Sequence, residues 1–291
     1  MTQLRDVVFT SGVRTAIGTF GGSLKDVPPT KLGAACVAEA VKRSGIDPKD
    51  VGSCVFGNII HTEARDMYLA RVAAIEGGLP IETPALTLNR LCGSGLQAVV
   101  SAAQQILLGD VDVAIAGGAE SMSRAPYALP SERWGQKMGD AKVVDMLLGT
   151  LTDPFGHGHM GVTAENVAAK WQVTREEQDA FAVESHRRAS KARREGIFKD
   201  QILPFEVKTR KGMVVFDQDE HVRDDATMEN LGSLKPVFKK DGTVTPGSAS
   251  GINDGAAALV MMNAATAEQK GITPLARLVG YAHSAVEPSE M

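Results

Sequence analysis

At 291 residues the chain is longer than one typical domain of about 150, so two or three compact units are expected. Hydrophobic residues make up 43% and charged residues 23%, which excludes a disordered, collagenous or coiled-coil chain. Thirty-one Lys and Arg against thirty-five Asp and Glu leave a formal charge of -4, so no global positive field draws in nucleic acid. No stretch approaches the ~20 apolar residues of a membrane span, and MTQLRDVVFTSGVRT carries no leader pattern, so no membrane partner is expected and the chain reads as soluble and cytoplasmic. Three cysteines suit neither a disulfide framework nor a zinc site built on CxxC pairs.

The β-branched run from Val7 to Thr10 predicts an opening strand. Thr30 to Arg43 has helical spacing at Leu32, Ala35, Cys36 and Ala40, closes on Lys42 and Arg43, and stops at Gly45 ahead of Pro48. Val51 to Phe56 predicts a short buried strand, and Asp66 to Glu76 a helix with Leu69, Val72 and Ala73 inward and Gly77-Gly78 as its stop. Ala85 to Leu91 is extended. After Cys92-Gly93-Ser94-Gly95, the residues Leu96, Val99, Val100, Ala103 and Leu107 return at helical spacing, which predicts strand, tight turn, helix. Val111 to Ala116 is the next strand and ends in Gly117-Gly118-Ala119-Glu120. This rhythm predicts an α/β layer with a mostly parallel sheet.

From Ser121 to about Ser248 the rhythm is lost, and the composition is that of an inserted, loop-rich domain. Within it Thr174 and Glu177 form a capping box for a helix that ends at Gly196. Arg187, Arg188, Lys191, Arg193 and Arg194 crowd its last turns and read as a solvated basic face. Ala256 to Met262 predicts a buried strand, Ala264 to Lys270 a short helix, and Leu275 to Tyr281 a further strand. That last strand has no crossover helix and no parallel partner ahead of Met291, so the sequence is expected to be cut off at the opening of another domain.

The cysteines separate by context. Cys36 lies on a helical apolar stripe and Cys54 inside a strand-like apolar run, both ordinary places for a buried thiol. Cys92 stands at a strand-to-helix turn, where Gly93 and Gly95 remove the side chains that would block its sulfur and the start of a helix favours negative charge. It is placed like a nucleophile, with its own N–H available to a developing oxyanion. The same turn also fits G-x-G-x-x-A, with Glu120 closing the next strand, and so admits a dinucleotide site; against this, Asn89 and Arg90 interrupt the preceding strand. His157 and His159 lack ligand partners at metal spacing, so no metal is expected and a polar loop role is preferred. His61, His186, His221 and His283 are isolated, and Asp66, Glu120 and Asp254 are single carboxylates without a spaced partner.

Asn89-Arg90-Leu91-Cys92-Gly93-Ser94-Gly95-Leu96-Gln97-Ala98, followed by Gly117 to Ser123, resembles the thiolase family, in its bacterial short-chain acetyl-CoA acetyltransferase form. Gly12-Val13-Arg14-Thr15 with Gly18, His159-Met160-Gly161 with Ala164-Glu165-Asn166, and Gly242 to Gly255 match in the same order. The resemblance implies the thiolase fold, layered α/β/α/β/α. Residues 1–121 with 249–270 would form its first core domain, 122–248 the inserted coenzyme A-binding loop domain, and 271–291 the start of a second core domain. It implies that Cys92 accepts an acyl group from acyl-CoA and that a second acetyl-CoA attacks the thioester to give a 3-ketoacyl-CoA, or the reverse. Leu151, His159, Met160, Arg223, Phe238, Ala249, Ser250 and Gly251 match the family's coenzyme A contacts. Met160 and Phe238 would flank the pantetheine and acyl end, and Arg223 would face the nucleotide phosphates. Pro246 and Ser248 depart from the commoner Ala and Asn of that loop, and Pro246 removes an N–H donor.

No cofactor beyond the coenzyme A thioester substrate is implied, and the partners expected are acyl-CoA, coenzyme A and further copies of the chain in a dimer or tetramer. The family's Asn-Glu-Ala-Phe, Gly-His-Pro and C-x-G-G-G motifs have no counterpart in this sequence. A positioned acid or base is worth about 10²–10⁴ in rate, so slow acyl transfer to Cys92 without condensation is expected of these residues alone. An apolar helix face shared between core domains is expected to lie exposed.

Overall fold

The computed structural model describes residues 5–210 and 212–291; the first four residues of the leader reading lie outside them. The chain divides into two compact units. One holds Met1–Arg124, Asp200–Glu220 and Asn253–Ala282, and the other Ala125–Lys199, His221–Ile252 and His283–Met291.

The first unit is built on one mixed sheet. Its strands are β1 (Val7–Thr15), β2 (Ser53–Gly57), β3 (Ala85–Leu88), β4 (Val113–Ser121), β5 (Ile202–Leu203), β8 (Asn253–Asn263) and β9 (Ala276–Arg277), with the two-residue strand Gly18–Thr19 antiparallel to the start of β8, while β6 (Phe205–Thr209) and β7 (Gly212–Phe216) pair separately. The order across the sheet is β5-β1-β8-β4-β2-β3, with β9 beside β1. Here the expectation of a mostly parallel sheet is corrected: β2 pairs parallel with both β3 and β4, but β8 lies antiparallel between β1 and β4. The reason is connectivity. The chain leaves β4 at Ser121 and returns from the insertion beside it, with Asp254 opposite Ser121, so β8 can only run back down the sheet.

Helix α1 (Pro29–Ser44) begins with Pro at its first position and ends on left-handed Gly45, as its punctuation predicts. It packs on β8 and β1 and against α2 (Leu69–Glu76), and a Cβ on Gly33 would touch Ala73, Phe56 and Ala119 at 3.2 to 3.6 Å. The helix expected from Asp66 is shorter than its sequence pattern, because Ala64–Tyr68 forms a 3-10 turn in which Asp66 and Glu63 satisfy one another's backbone. On the other face of the sheet α3 (Ser94–Leu108) brings Ala98, Ala102, Ala103 and Ile106 against Val7, Val55, Ala114, Ala116 and Met261, all fully buried. Small helix residues over β-branched and alanine strand positions let helix and sheet approach closely.

By length and composition Leu91–Leu108, at a mean hydropathy of 1.3, is apolar enough to cross a membrane, which amends the reading that no stretch comes near. A third of that window is buried, its alanine face covering the sheet, while Leu96 and Leu108 stay more than 70% exposed.

The expected boundaries also shift. Residues 200–220 belong with the sheet unit and not with the insertion, because β5 pairs with β1 and two acidic side chains fasten the segment. Asp219 accepts from both terminal nitrogens of the Arg14 guanidinium (2.7 and 3.0 Å) and from the N–H of Ile17 (2.8 Å). Glu220 accepts from the N–H groups of Thr19 and Ser23. Likewise 271–282 joins the first unit, and the strand expected over Leu275 to Tyr281 shortens to β9, antiparallel to Val8 and Phe9.

The second unit is carried by α4 (Met160–Trp171) and α5 (Arg175–Arg194). The capping box of Thr174 and Glu177 forms as read, and Gly196 is left-handed beyond the end of α5. Its basic residues are paired, Arg187 and Arg188 with Glu184 and Arg193 with Asp224. Glu165 of α4 accepts from the N–H groups of Thr243 and Val244 at 2.8 to 2.9 Å. Burial works to raise its pKa, but the N–H bonds from Val244 and Thr243 together hold it below the ordinary carboxylate value.

Candidate active site

Cys92 sits where β3 hands over to α3, in a turn closed by local bonds. The side chain of Asn89 accepts from the N–H of Leu91 (2.9 Å). Ser94 Oγ accepts from the N–H of Arg90 (2.8 Å) and donates to the carbonyl of Leu91 (2.7 Å), and the N–H of Ser94 returns to that same carbonyl (2.9 Å). Leu91 has φ 46°, the left-handed region that a leucine occupies only when its surroundings insist. The outcome is an exposed Cys92 two residues ahead of the first helical residue. A Cβ on Gly95 would meet nothing within 4 Å, so this glycine leaves the approach to the sulfur open.

Other glycines set the depth of the turn. A Cβ on Gly57, at the end of β2, would lie 2.7 Å from the Cβ of Ser94, and one on Gly118 would lie 3.3 Å from the carbonyl of Gly57. The ends of β2 and β4 thereby press against the start of α3. Cys92, Leu91, Ser94 and Gly95 share a hollow of about 340 Å³ with Arg14, Ile17, Gly118, Glu120 and the start of β8. The other two thiols are sealed: burial pushes Cys36 and Cys54 up to about 12, so neither competes as a thiolate.

Asp66, Glu120 and Asp254, single carboxylates along the chain, are gathered by the tertiary structure. Glu120 lines the hollow and accepts from the N–H groups of Ile59 (2.9 Å) and Ile60 (3.1 Å) and from Asn58 Nδ2 (3.2 Å). Burial first, opposed by those two N–H bonds and reinforced by the charges of Asp66 and Asp254, raises it to about 7. The sequence shows only its place, a carboxylate near the end of an apolar strand after two glycines.

The residues matched to coenzyme A contacts all fall in the second unit, where four of them come together. His159 caps α4, its Nδ1 accepting from the N–H of Gly161 (3.0 Å), and its ring stacks on Phe238 with centroids 5.0 Å apart. Met160 opens the helix and its N–H donates to the carbonyl of Leu151 (2.8 Å). Gly161 admits the ring of Phe238, whose Cγ would lie 2.2 Å from an added Cβ. Arg223 is exposed, and its N–H donates to His186 Nδ1 (3.2 Å). Ala249 donates to the carbonyl of Thr245 (2.9 Å), while Ser250 and Gly251 follow on the same loop. The departures there are self-consistent. Ser248 Oγ accepts from the N–H of Thr245 (3.1 Å) and its own N–H closes the turn on the Thr245 carbonyl, with Pro246 at the turn position that needs no donor.

This topology excludes the dinucleotide reading, since β8 interrupts the parallel order that a doubly wound nucleotide fold requires. An α/β unit with this strand order, presenting one thiol at a strand-to-helix turn, defines the thiolase fold. Residues 7–265 match the family profile described as the thiolase N-terminal domain. The chain is 65% identical over 288 residues to the β-ketothiolase BktB of Cupriavidus necator, covering 99% of this chain and 73% of that protein. It superposes on the acetyl-CoA acetyltransferase of Bacillus anthracis with a TM-score of 0.97 at 46% identity, and on human mitochondrial 3-ketoacyl-CoA thiolase in complex with CoA with a TM-score of 0.94 at 42% identity. In both comparisons the whole of this chain covers 73% of the other. The chain belongs to the thiolase family.

Proposed function

We propose that the chain performs the acyl-transfer chemistry of a short-chain β-ketothiolase, with Cys92 as the acyl carrier. The Cys92 sulfur attacks the carbonyl carbon of an acyl-CoA, the bond to the coenzyme A sulfur breaks, and coenzyme A leaves as its thiol, taking the proton that Cys92 gives up. For condensation the α-carbon of a second acetyl-CoA gives its proton to a base and bonds to the acyl carbon as that carbon's bond to Cys92 Sγ breaks and the sulfur takes up a proton; thiolysis is the reverse, and acylation of Cys92 is the half proposed for these residues by themselves. The start of α3 favours the thiolate. The observation that carries this reading is the contrast among the thiols: two are sealed in the core and one stands open at a helix mouth beside a hollow.

Coenzyme A is assigned to the second unit. Leu151, Met160 and the stacked His159–Phe238 pair offer an apolar wall for the pantetheine, Arg223 a cation for the phosphates, and Ala249, Ser250 and Gly251 backbone contacts. The chemistry needs no cofactor, because the thioester itself is the activated group. Assembly as a homo-oligomer in the cytoplasm completes the proposal. The relatives' names, β-ketothiolase and acetyl-CoA acetyltransferase, support the reaction class.

The test is incubation with acetyl-CoA followed by intact-mass and peptide analysis. A mass gain of one acetyl group at Cys92, absent from Cys92→Ser, is expected. An unmodified Cys92, even with the C-terminal part of a relative supplied, refutes the assignment.

A further inference from the structure

The most unusual group near the sulfur that the acyl-transfer reading leaves without a task is Glu120. Its carboxylate gathers three donors from residues 58–60, the segment that follows β2: Ile59 N–H, Ile60 N–H and Asn58 Nδ2. Asn58 is fully buried, and its Nδ2 also donates to the carbonyl of Ala119 (3.0 Å). The backbone N–H of the same Asn58 donates to the carbonyl of Leu88 (3.1 Å), the last residue of β3. Asn89 follows directly and starts the turn that carries Cys92. One chain of bonds thus joins Glu120, Asn58, Leu88 and the root of the nucleophile turn.

We propose that Glu120 is a positioning residue for Cys92, its ionised carboxylate clamping residues 58–60 so that Asn58 holds the end of β3 where the turn begins. The proposal rests on Cys92 being the acyl carrier. Its chemistry is that of an acceptor facing only donors: both oxygens of the carboxylate are used, and a proton on either would set O–H against N–H and open the clamp. The groups facing it are acidic, Asp66 from the 3-10 turn and Asp254 from β8. The nearby cations are engaged elsewhere, Arg124 with Glu63 and Arg14 with Asp219. Buried Asp66 Oδ1, Asp254 Oδ2 and Asn58 Oδ1 have no donor partner. Burial first, with the charges of Asp66 and Asp254 added to it, outweighs the two N–H bonds and brings the titration of Glu120 close to neutrality, so the clamp engages as pH rises through about 7.

The experiment measures acetylation of Cys92 by acetyl-CoA against pH, from 6 to 8.5, in the wild-type chain and in Glu120→Gln. The wild type should show a rise inflecting near 7. At pH 8 Glu120→Gln should react at least tenfold more slowly at saturating acetyl-CoA and lack that inflection, with its half-saturating concentration unchanged. Protection of Cys36 and Cys54 from alkylation establishes that the variant is folded. Glu120→Gln reacting at the wild-type rate with the wild-type profile overturns the proposal. Should the variant unfold, a wild-type profile without an inflection near 7 overturns it equally. A wild type that is never acetylated refutes the nucleophile assignment itself, and the positioning role falls with it.

Discussion

Replacing Glu120 by Gln should change how stability depends on pH. The native carboxyl titrates near 7 against 4.5 in the unfolded chain. Between those values the folded state holds a proton that the unfolded state has released. Stability therefore falls as pH rises through that window and levels off above 7. A difference of about 2.5 units at 1.36 kcal/mol each gives a loss of about 3 kcal/mol between pH 4.5 and 8. Gln cannot ionise and should not show it, so variant minus wild-type stability should grow by about that amount across the window. Other groups leave this difference untouched. His186, lowered chiefly by burial, contributes a slope of the opposite sign below 6.5 in both proteins. Glu39, Glu165, Glu220 and Asp224, all held below their ordinary values, act only at lower pH. Urea unfolding read by a pulse of alkylating reagent on buried Cys36 and Cys54 reports the sheet unit alone. A stability difference that stays flat from pH 4.5 to 8 refutes the reasoning.

Gly57→Ala would set a Cβ 2.7 Å from that of Ser94 and should cost about 1–3 kcal/mol in urea unfolding while slowing acetylation of Cys92. Wild-type stability and rate would contradict the packing argument. Gly161→Ala drives Phe238 off its place against His159 and should weaken coenzyme A binding about tenfold, roughly 1.4 kcal/mol, by calorimetry, leaving iodoacetamide labelling of Cys92 unchanged. At pH 8 iodoacetamide should label Cys92 alone, because burial holds Cys36 and Cys54 near 12; early labelling of either would show that the core is open. Thr174→Ala removes the capping box of α5 and should cost about 0.5–2 kcal/mol in the second unit, with no change in Cys92 acetylation.

What the sequence determined by itself is local: strand runs and helix periods, the stops at Gly45 and Gly196, the Thr174 capping box, and the Cys92 turn between β3 and α3. Each depends on residues a few positions apart, where φ/ψ preference and spacing decide the outcome. The family motifs extended this to the layered fold, since they preserve such local patterns in order along the chain. Long-range pairing was decided only in three dimensions. Nothing within Asn253–Asn263 says that the strand will insert antiparallel beside β4, because its neighbours come from more than a hundred residues away. The same holds for Asp219 and Glu220, whose partners Arg14, Thr19 and Ser23 lie far away along the chain. It holds most of all for Glu120, whose proton affinity is set by burial, by two N–H groups and by two distant carboxylates, and a titration governed by what surrounds a group in space has no signature along the chain.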